Sequence, residues 1–303
     1  MTEPAAPPDA HLDAAPPPGY ALLRRIPFPL FCTLTRLTFW HRLPAMIRFA
    51  RNLRRHAPFP CGWPKAIRLA VLRGIGEEEH RAWLLACDRM AGRDPGRWVR
   101  MAEREHLDAA RATGRPLLLV MIHQMPARAI QHALNQPSLA WEPWLVRADP
   151  AIYPQPIPYA RFFDQQRLHS VWGGRVLSHG MAGMRRLYRV LKGGGAAVIT
   201  LDGPGWADRP GTGTPVLGRW IRYSLGAARL AVETGALVLP FVVSTGVLPG
   251  STTLRFLAPR DPAGKSEDDF RAEIGRLLEE MILNSPESWM EWETWFGAGN
   301  IPS

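Results

Sequence analysis

His123 follows the apolar run PLLLVMI (116–122) and stands just before Pro126, a residue suited to the first turn of a helix. In α/β sheets, functional groups gather at the carboxyl ends of strands. A neutral imidazole there takes a proton from a hydroxyl, and a nearby helix N-terminus disfavours its charged form. The same place also suits a structural histidine that only hydrogen-bonds. Asp202 follows a second apolar run, AAVITL (196–201), and opens the stretch DGPGWADRPGTG. Its carboxylate is either the floor of a site or an Asx turn that closes the strand. Arg209, Arg219 and Arg222 surround the downstream loop. They are candidates for holding phosphate or carboxylate; a solvated surface is the alternative.

Other chemistries lack their residues. Gly193–Gly195 precede a strand, whereas a dinucleotide loop must follow one so that its backbone N–H groups meet the pyrophosphate. The P-loop pattern GxxxxGK[ST] and the nucleophile elbow GxSxG are both absent. The three cysteines, Cys32, Cys61 and Cys87, are far apart and have no CxxC spacing, which argues against a zinc site or a disulfide framework.

The elements that position His123 and Asp202 read as strands alternating with helices. Strands are predicted over 116–122, 141–146, 171–177, 196–201, 236–243 and 252–258. Helices are predicted from Pro126 to Leu134, Ser178 to Gly193, Ser224 to Glu233 and Ser266 to Leu283. Ser266 with Asp269 resembles a capping box. The fold class is α/β: a mixed β-sheet flanked by helices on both faces, preceded by an N-terminal helical segment. Upstream, helices are predicted over Ala66–Leu72, Glu77–Met90 and Trp98–Thr113. The chain divides into a disordered tail (1–19), an amphipathic helical segment (20–108) and an α/β domain (109–303).

The chain has 303 residues, a 46% hydrophobic share that supports a sizeable core, and a formal net charge of +10. That charge suits anionic membrane or nucleic acid, or else a bland basic surface. Eight arginines (Arg24, Arg25, Arg36, Arg42, Arg48, Arg51, Arg54, Arg55) interleave with Phe28, Phe31, Phe39, Trp40 and Phe49 over 20–56. Such basic, aromatic-rich segments lie in a membrane interface; packing on the body of the protein is the alternative. No RNA-binding motif is present, so nucleic acid is not the expected partner. No charge-free apolar run is long enough to span a bilayer.

The string from 183 to 243, with LKGG, the strand ending in Asp202, the G-R-W triplet and SLGAARLAVETGALVLP, resembles the lipid A biosynthesis (lauroyl/myristoyl) acyltransferase family. That family lies within the glycerolipid/lysophospholipid acyltransferase superfamily. The segment from Arg167 to Gly174 and the terminal SPESW fit as well. The resemblance implies a glycerolipid acyltransferase-like fold and transfer of a fatty acyl chain from acyl carrier protein or CoA to a lipid hydroxyl. It implies a peripheral place at the cytoplasmic face of the bacterial inner membrane, and Arg167 as a substrate-binding residue. The family's signature is a His followed five positions later by Glu or Asp, the His as base and the acid as its orienting partner. The His carries over to His123. The acid does not, because Arg128 occupies its place, and His80, His106, His132, His169 and His179 also lack an acid at that spacing. Either Asp202 or Glu142 substitutes in space, or the chain keeps the fold as a non-catalytic protein that binds lipid or acyl carrier protein. The expected catalytic pair is His123 and Asp202, with Arg167, Arg209, Arg219 and Arg222 binding substrate. The reaction requires only a base and a polarised carbonyl, so neither metal nor redox cofactor is expected. The deciding observation is a carboxylate within hydrogen-bond reach of a His123 nitrogen, about 2.6–3.2 Å.

Overall fold

The computed structural model describes residues 25–85, 98–136, 139, 141–147, 171–178, 181–202, 214–221, 226–248 and 250–297. The predicted tail 1–19, Cys87, Arg167, Arg209, Arg222 and the glycine-rich loop over 203–213 lie outside the described residues.

Seven strands form one mixed sheet: β1 (Val99–Ala102), β2 (Leu117–Met121), β3 (Trp144–Arg147), β4 (Val176–Ser178), β5 (Ala196–Thr200), β8 (Leu237–Ser244) and β9 (Thr252–Phe256). Between β5 and β8 lies a separate antiparallel hairpin, β6 (Thr214–Val216) and β7 (Arg219–Ile221). The sheet order is β1-β9-β8-β2-β5-β3-β4. Among the described strand pairs of this sheet, only β8/β9 is antiparallel. The helices are α1 (Phe28–Leu37), α2 (Leu43–His56), α3 (Trp63–Leu85), α4 (Arg104–Ala112), α5 (Ala127–Leu134), α6 (Met181–Lys192), α7 (Gly226–Thr234), α8 (Glu267–Asn284) and α9 (Trp292–Gly297). A short 3-10 turn, Thr38–Arg42, links α1 to α2.

Strand β2 is central and all five of its residues are buried, as its unbroken apolar run requires. Its side chains alternate between two cores. Leu118, Val120 and Ile122 join Leu53 of α2, Leu191 of α6 and Leu277 of α8. Leu117, Leu119 and Met121 join Phe31 of α1, Leu107 of α4 and Ile130 of α5. Helices thus cover both faces, as expected for a largely parallel sheet. At α8 the Ser266 side chain accepts from the Asp269 N–H at 3.1 Å, a cap that contributes about 1 kcal/mol.

Two upstream expectations are revised. Trp98–Thr113 is not one helix: Val99–Ala102 pair in parallel with Thr252–Arg255, and Glu103 at φ 53° turns the chain into α4. A free sheet edge outweighed the local helical preference there. The two predicted helices before residue 90 are continuous over Trp63–Leu85, through Gly74 and Gly76. Helical glycines usually weaken a helix, but here they permit close approach. A Cβ on Gly74 would stand 2.9 Å from Met46 Sδ. A Cβ on Gly76 would meet Thr245 Oγ1 at 3.1 Å and Met125 Cβ at 3.3 Å. The second contact brings α3 against the segment that follows His123.

Candidate active site

Parallel pairing of β2 with β5 runs from Leu117↔Ala196 to Met121↔Thr200. The ladder continues one step, with the Leu201 N–H donating to the Met121 carbonyl at 2.8 Å. At the next step a side chain replaces the backbone. The His123 N–H donates to both oxygens of Asp202, at 2.8 and 3.0 Å. His123 Nδ1 lies 2.9 Å from Asp202 Oδ1. A carboxylate therefore lies within hydrogen-bond reach of His123, brought by the neighbouring strand in register. Glu142, the other candidate, instead accepts from Arg175 at 3.4 Å and is largely exposed.

Asp202 is fully buried. Its second oxygen also accepts from the Trp289 indole N–H at 2.8 Å. Every contact is donor to acceptor, the pattern of a carboxylate. A buried charge of this kind requires such donors. Binding Asp202 through Nδ1–H fixes the imidazole tautomer and leaves Nε2 as the basic atom. Nε2 has no hydrogen-bond partner among the described residues, and the side chain is 37% exposed. Burial works against the imidazolium. The charge and hydrogen bond of Asp202, helped by the charge of Glu291, outweigh it and push the His123 pKa up to about 9.

The terminal SPESW segment fastens this pair. The His123 carbonyl accepts from the Met290 N–H at 2.8 Å, and the Met125 N–H donates to the Ser288 carbonyl at 2.8 Å. Arg73 of α3 donates to the carbonyls of Trp289 and Met290. On the other side of β2, β8 stops pairing after Val120↔Pro240 and turns to pair with β9, proline having no N–H to offer. The buried Gln124 side chain bridges that gap, donating to the Phe241 carbonyl at 3.3 Å and accepting from the Val243 N–H. Trp289 and Gln124 had no assigned role in the sequence. The signal for Trp289 was the SPESW ending itself; Gln124 had none beyond its adjacency to His123.

Arg219, on β7, donates to the carbonyls of Trp295 and Phe296 at 3.2 and 2.9 Å. Its guanidinium also lies 4.5 Å above the Trp295 ring, so it caps α9 with a cation where carbonyls converge. Arg167, Arg209 and Arg222 lie outside the described residues. Arg128 sits in the first turn of α5.

No protein-family model matches this chain. No curated protein matches it either. Among solved structures it is similar in fold to the 1-acyl-sn-glycerophosphate (LPA) acyltransferase, PlsC, from Thermotoga maritima. The two are 17% identical, with a TM-score of 0.40, over 83% of this chain and 95% of that one. The likeness is one of fold alone.

Proposed function

We propose that the protein is an acyltransferase that works at a membrane surface, moving a fatty acyl chain from a thioester to a hydroxyl or amine acceptor. The observation that carries this reading is the buried Asp202 carboxylate on Nδ1 of a half-exposed His123. In the reaction, deprotonated Nε2 takes the acceptor's proton as the acceptor oxygen or nitrogen attacks the thioester carbonyl. Asp202 stabilises the imidazolium that forms. The tetrahedral intermediate then expels the thiolate, which receives that proton from Nε2. Acyl carrier protein and CoA are the candidate donors and a lipid is the preferred acceptor. Arg167, Arg209 and Arg222 remain proposed substrate contacts.

The test is transfer from labelled acyl thioesters to lipid extracts. His123→Ala is expected to abolish turnover while leaving the fold intact. Arg128→Glu is expected to leave turnover within a few-fold of the wild type, because Asp202 already holds Nδ1. Turnover that survives His123→Ala rejects the base assignment. Absence of turnover with every donor would favour a non-catalytic protein that binds lipid or acyl carrier protein.

A peripheral place on the cytoplasmic face of the inner membrane is part of the same reading. Leu30, Leu34 and Leu37 recur at helical spacing on α1 and are exposed, as are Trp40, Leu43, Ile47, Trp63 and Ile67. Exposed Arg48, Arg51, Arg54 and Arg55 accompany them on α2. Apolar side chains beside cations match an anionic leaflet. Two of the arginines counted in the sequence serve the fold instead. Arg36 is buried against Glu79 and donates to the Gly246 and Val247 carbonyls, and Arg42 pairs with Glu77 and Glu78. No helix among the described residues is long and apolar enough to cross a membrane. Changing Leu34 and Leu37 together to Glu is expected to lower sedimentation with anionic vesicles at least tenfold without loss of folded protein. Equal sedimentation of variant and wild type would remove the membrane proposal.

A further inference from the structure

The connection from β8 to β9 presents Val247 and Leu248 to solvent, 65% and 70% exposed, more than Leu37 of α1 at 63%. Single exposed apolar residues are ordinary, but these two are adjacent on a turn that is held in place. The Ser251 N–H donates to the Leu248 carbonyl at 3.2 Å, and the Ser251 hydroxyl donates to the same oxygen. Gly246 approaches Ser251 so closely that a Cβ there would collide with the hydroxyl. One buried ion pair fastens both sides of the turn. Arg36 of α1 donates to the Gly246 and Val247 carbonyls at 3.2 and 3.0 Å. Its partner Glu79 accepts from the Thr252 hydroxyl at 2.6 Å. Two large apolar side chains are thus kept in water on a fixed support. That support is tied to the helix whose Leu30, Leu34 and Leu37 are also exposed.

Charge indicates what covers this surface. No Asp or Glu occurs between Asp13 and Glu77, a stretch that contains all of α1 and α2. Arg48, Arg51, Arg54 and Arg55 of α2 are exposed. Where acids resume, Glu77, Glu78 and Glu79 are paired with Arg42 and Arg36. Residues 244–252 carry no charge at all. An uncharged apolar tip beside a cationic, acid-free flank matches an anionic leaflet, which accepts the apolar groups and attracts the cations.

The turn also has a fixed place relative to His123. β8 runs parallel to β2 with Val120 opposite Pro240. The same count sets Val243 at the level of His123 and the turn beyond it. The bond from the Val243 N–H to the Gln124 side chain keeps that level after the backbone ladder ends. The turn and His123 therefore share the carboxyl edge of the sheet.

We infer that the Val247–Leu248 turn enters an anionic bilayer alongside α1 and so directs the carboxyl edge of the sheet, with His123, toward the leaflet. The inference rests on the membrane reading and adds to it a second point of entry and an orientation. Apolar faces of interfacial segments reach about 5–10 Å into the boundary between headgroups and acyl chains. With α1 and the turn both held there, a lipid acceptor meets Nε2 without leaving the leaflet.

The test uses the full chain and vesicles made of equal parts phosphatidylglycerol and phosphatidylcholine. Hydrogen exchange in the peptide bearing Val247 and Leu248 is expected to slow on addition of vesicles. Val247→Ser with Leu248→Ser is expected to weaken sedimentation with the vesicles about tenfold or more, as loss of two apolar side chains from the bilayer implies. Leu248→Trp is expected to strengthen it, since indole favours the interface. Effects of opposite sign separate membrane contact from misfolding. His123→Ala is expected to sediment as the wild type does, so the outcome does not depend on the catalytic reading. A wild type that fails to sediment removes the membrane reading and this inference with it. Sedimentation lost on changing Leu34 and Leu37 to Glu but kept by the Ser pair, with exchange at the turn unchanged, leaves that reading standing and overturns the role of the turn. A Ser pair that sediments normally but breaks up a dimer of this chain would also overturn it, with a second copy as the cover.

Discussion

Asp202→Asn is expected to lower acyl-transfer turnover by about 10³–10⁴-fold, the order seen when the orienting acid of a Ser-His-Asp triad is neutralised. Asp202 accepts from the His123 N–H, His123 Nδ1 and the Trp289 indole. An amide at that place turns one acceptor into a donor facing other donors. The imidazole loses both its fixed tautomer and the charge that stabilises its protonated form. The pH dependence identifies the mechanism behind the loss. In the wild type, Nε2 accepts a proton only after the imidazolium, held to about 9, has lost its own. kcat/KM is therefore expected to climb with pH through about 9. In Asp202→Asn the burial that opposes the charged ring is no longer countered by Asp202, so that limb moves to much lower pH. Stability follows the same linkage. A raised imidazole pKa contributes stability that is fully present below the unfolded value near 6.5 and is lost as pH rises through about 9. Chemical denaturation of wild type and variant across pH 6–10 measures it. A wild-type denaturation midpoint that does not fall between about 6.5 and 9 would contradict the ion pair.

Trp289 gives the second large effect, and two substitutions divide it. Trp289→Ala is expected to cost about 3–5 kcal/mol, as truncation of a buried aromatic does. The side chain is fully buried and its ring meets Trp292 edge to face at 4.9 Å. Trp289→Phe keeps most of that packing and removes only the indole N–H. It leaves Asp202 Oδ2 with one donor fewer in a dry site, a loss of about 1–3 kcal/mol. In the proposed reaction Trp289 acts through Asp202, which makes it a positioning residue. Trp289→Phe is expected to lower kcat roughly tenfold with little change in KM. It is also expected to raise the His123 pKa further, since a carboxylate with fewer donors binds the imidazolium more strongly. Two-dimensional NMR of the imidazole reports that shift. A Trp289→Phe enzyme with normal kcat and an unmoved imidazole would leave Trp289 a packing residue only.

The sequence by itself determined the two strands that carry the candidate site, β2 and β5, and where they end. The runs 116–122 and 196–201 are short and apolar, as buried strands are, and His123 and Asp202 follow them directly. Their side chains therefore had to stand at the carboxyl edge of the sheet. Local chemistry also placed the α8 cap at Ser266 and the start of α5 just after Pro126, because both signals act within a turn of the residue that carries them. Tertiary structure alone decided that β5 lies beside β2, and in which register. Strand order depends on packing between segments 79 residues apart, and no local preference encodes it. One residue of slip would have turned Asp202 to the opposite face and left His123 without that carboxylate. The same holds for β1, a helix by its local pattern that became a strand because β9 had an unpaired edge. It holds too for Trp289, which reaches Asp202 across 87 residues of chain because α8 carries the SPESW segment back under the strand ends. Residue types and periodicity set which groups were available, while long-range pairing chose which of them meet, because hydrogen bonds across a sheet are satisfied by neighbours in space.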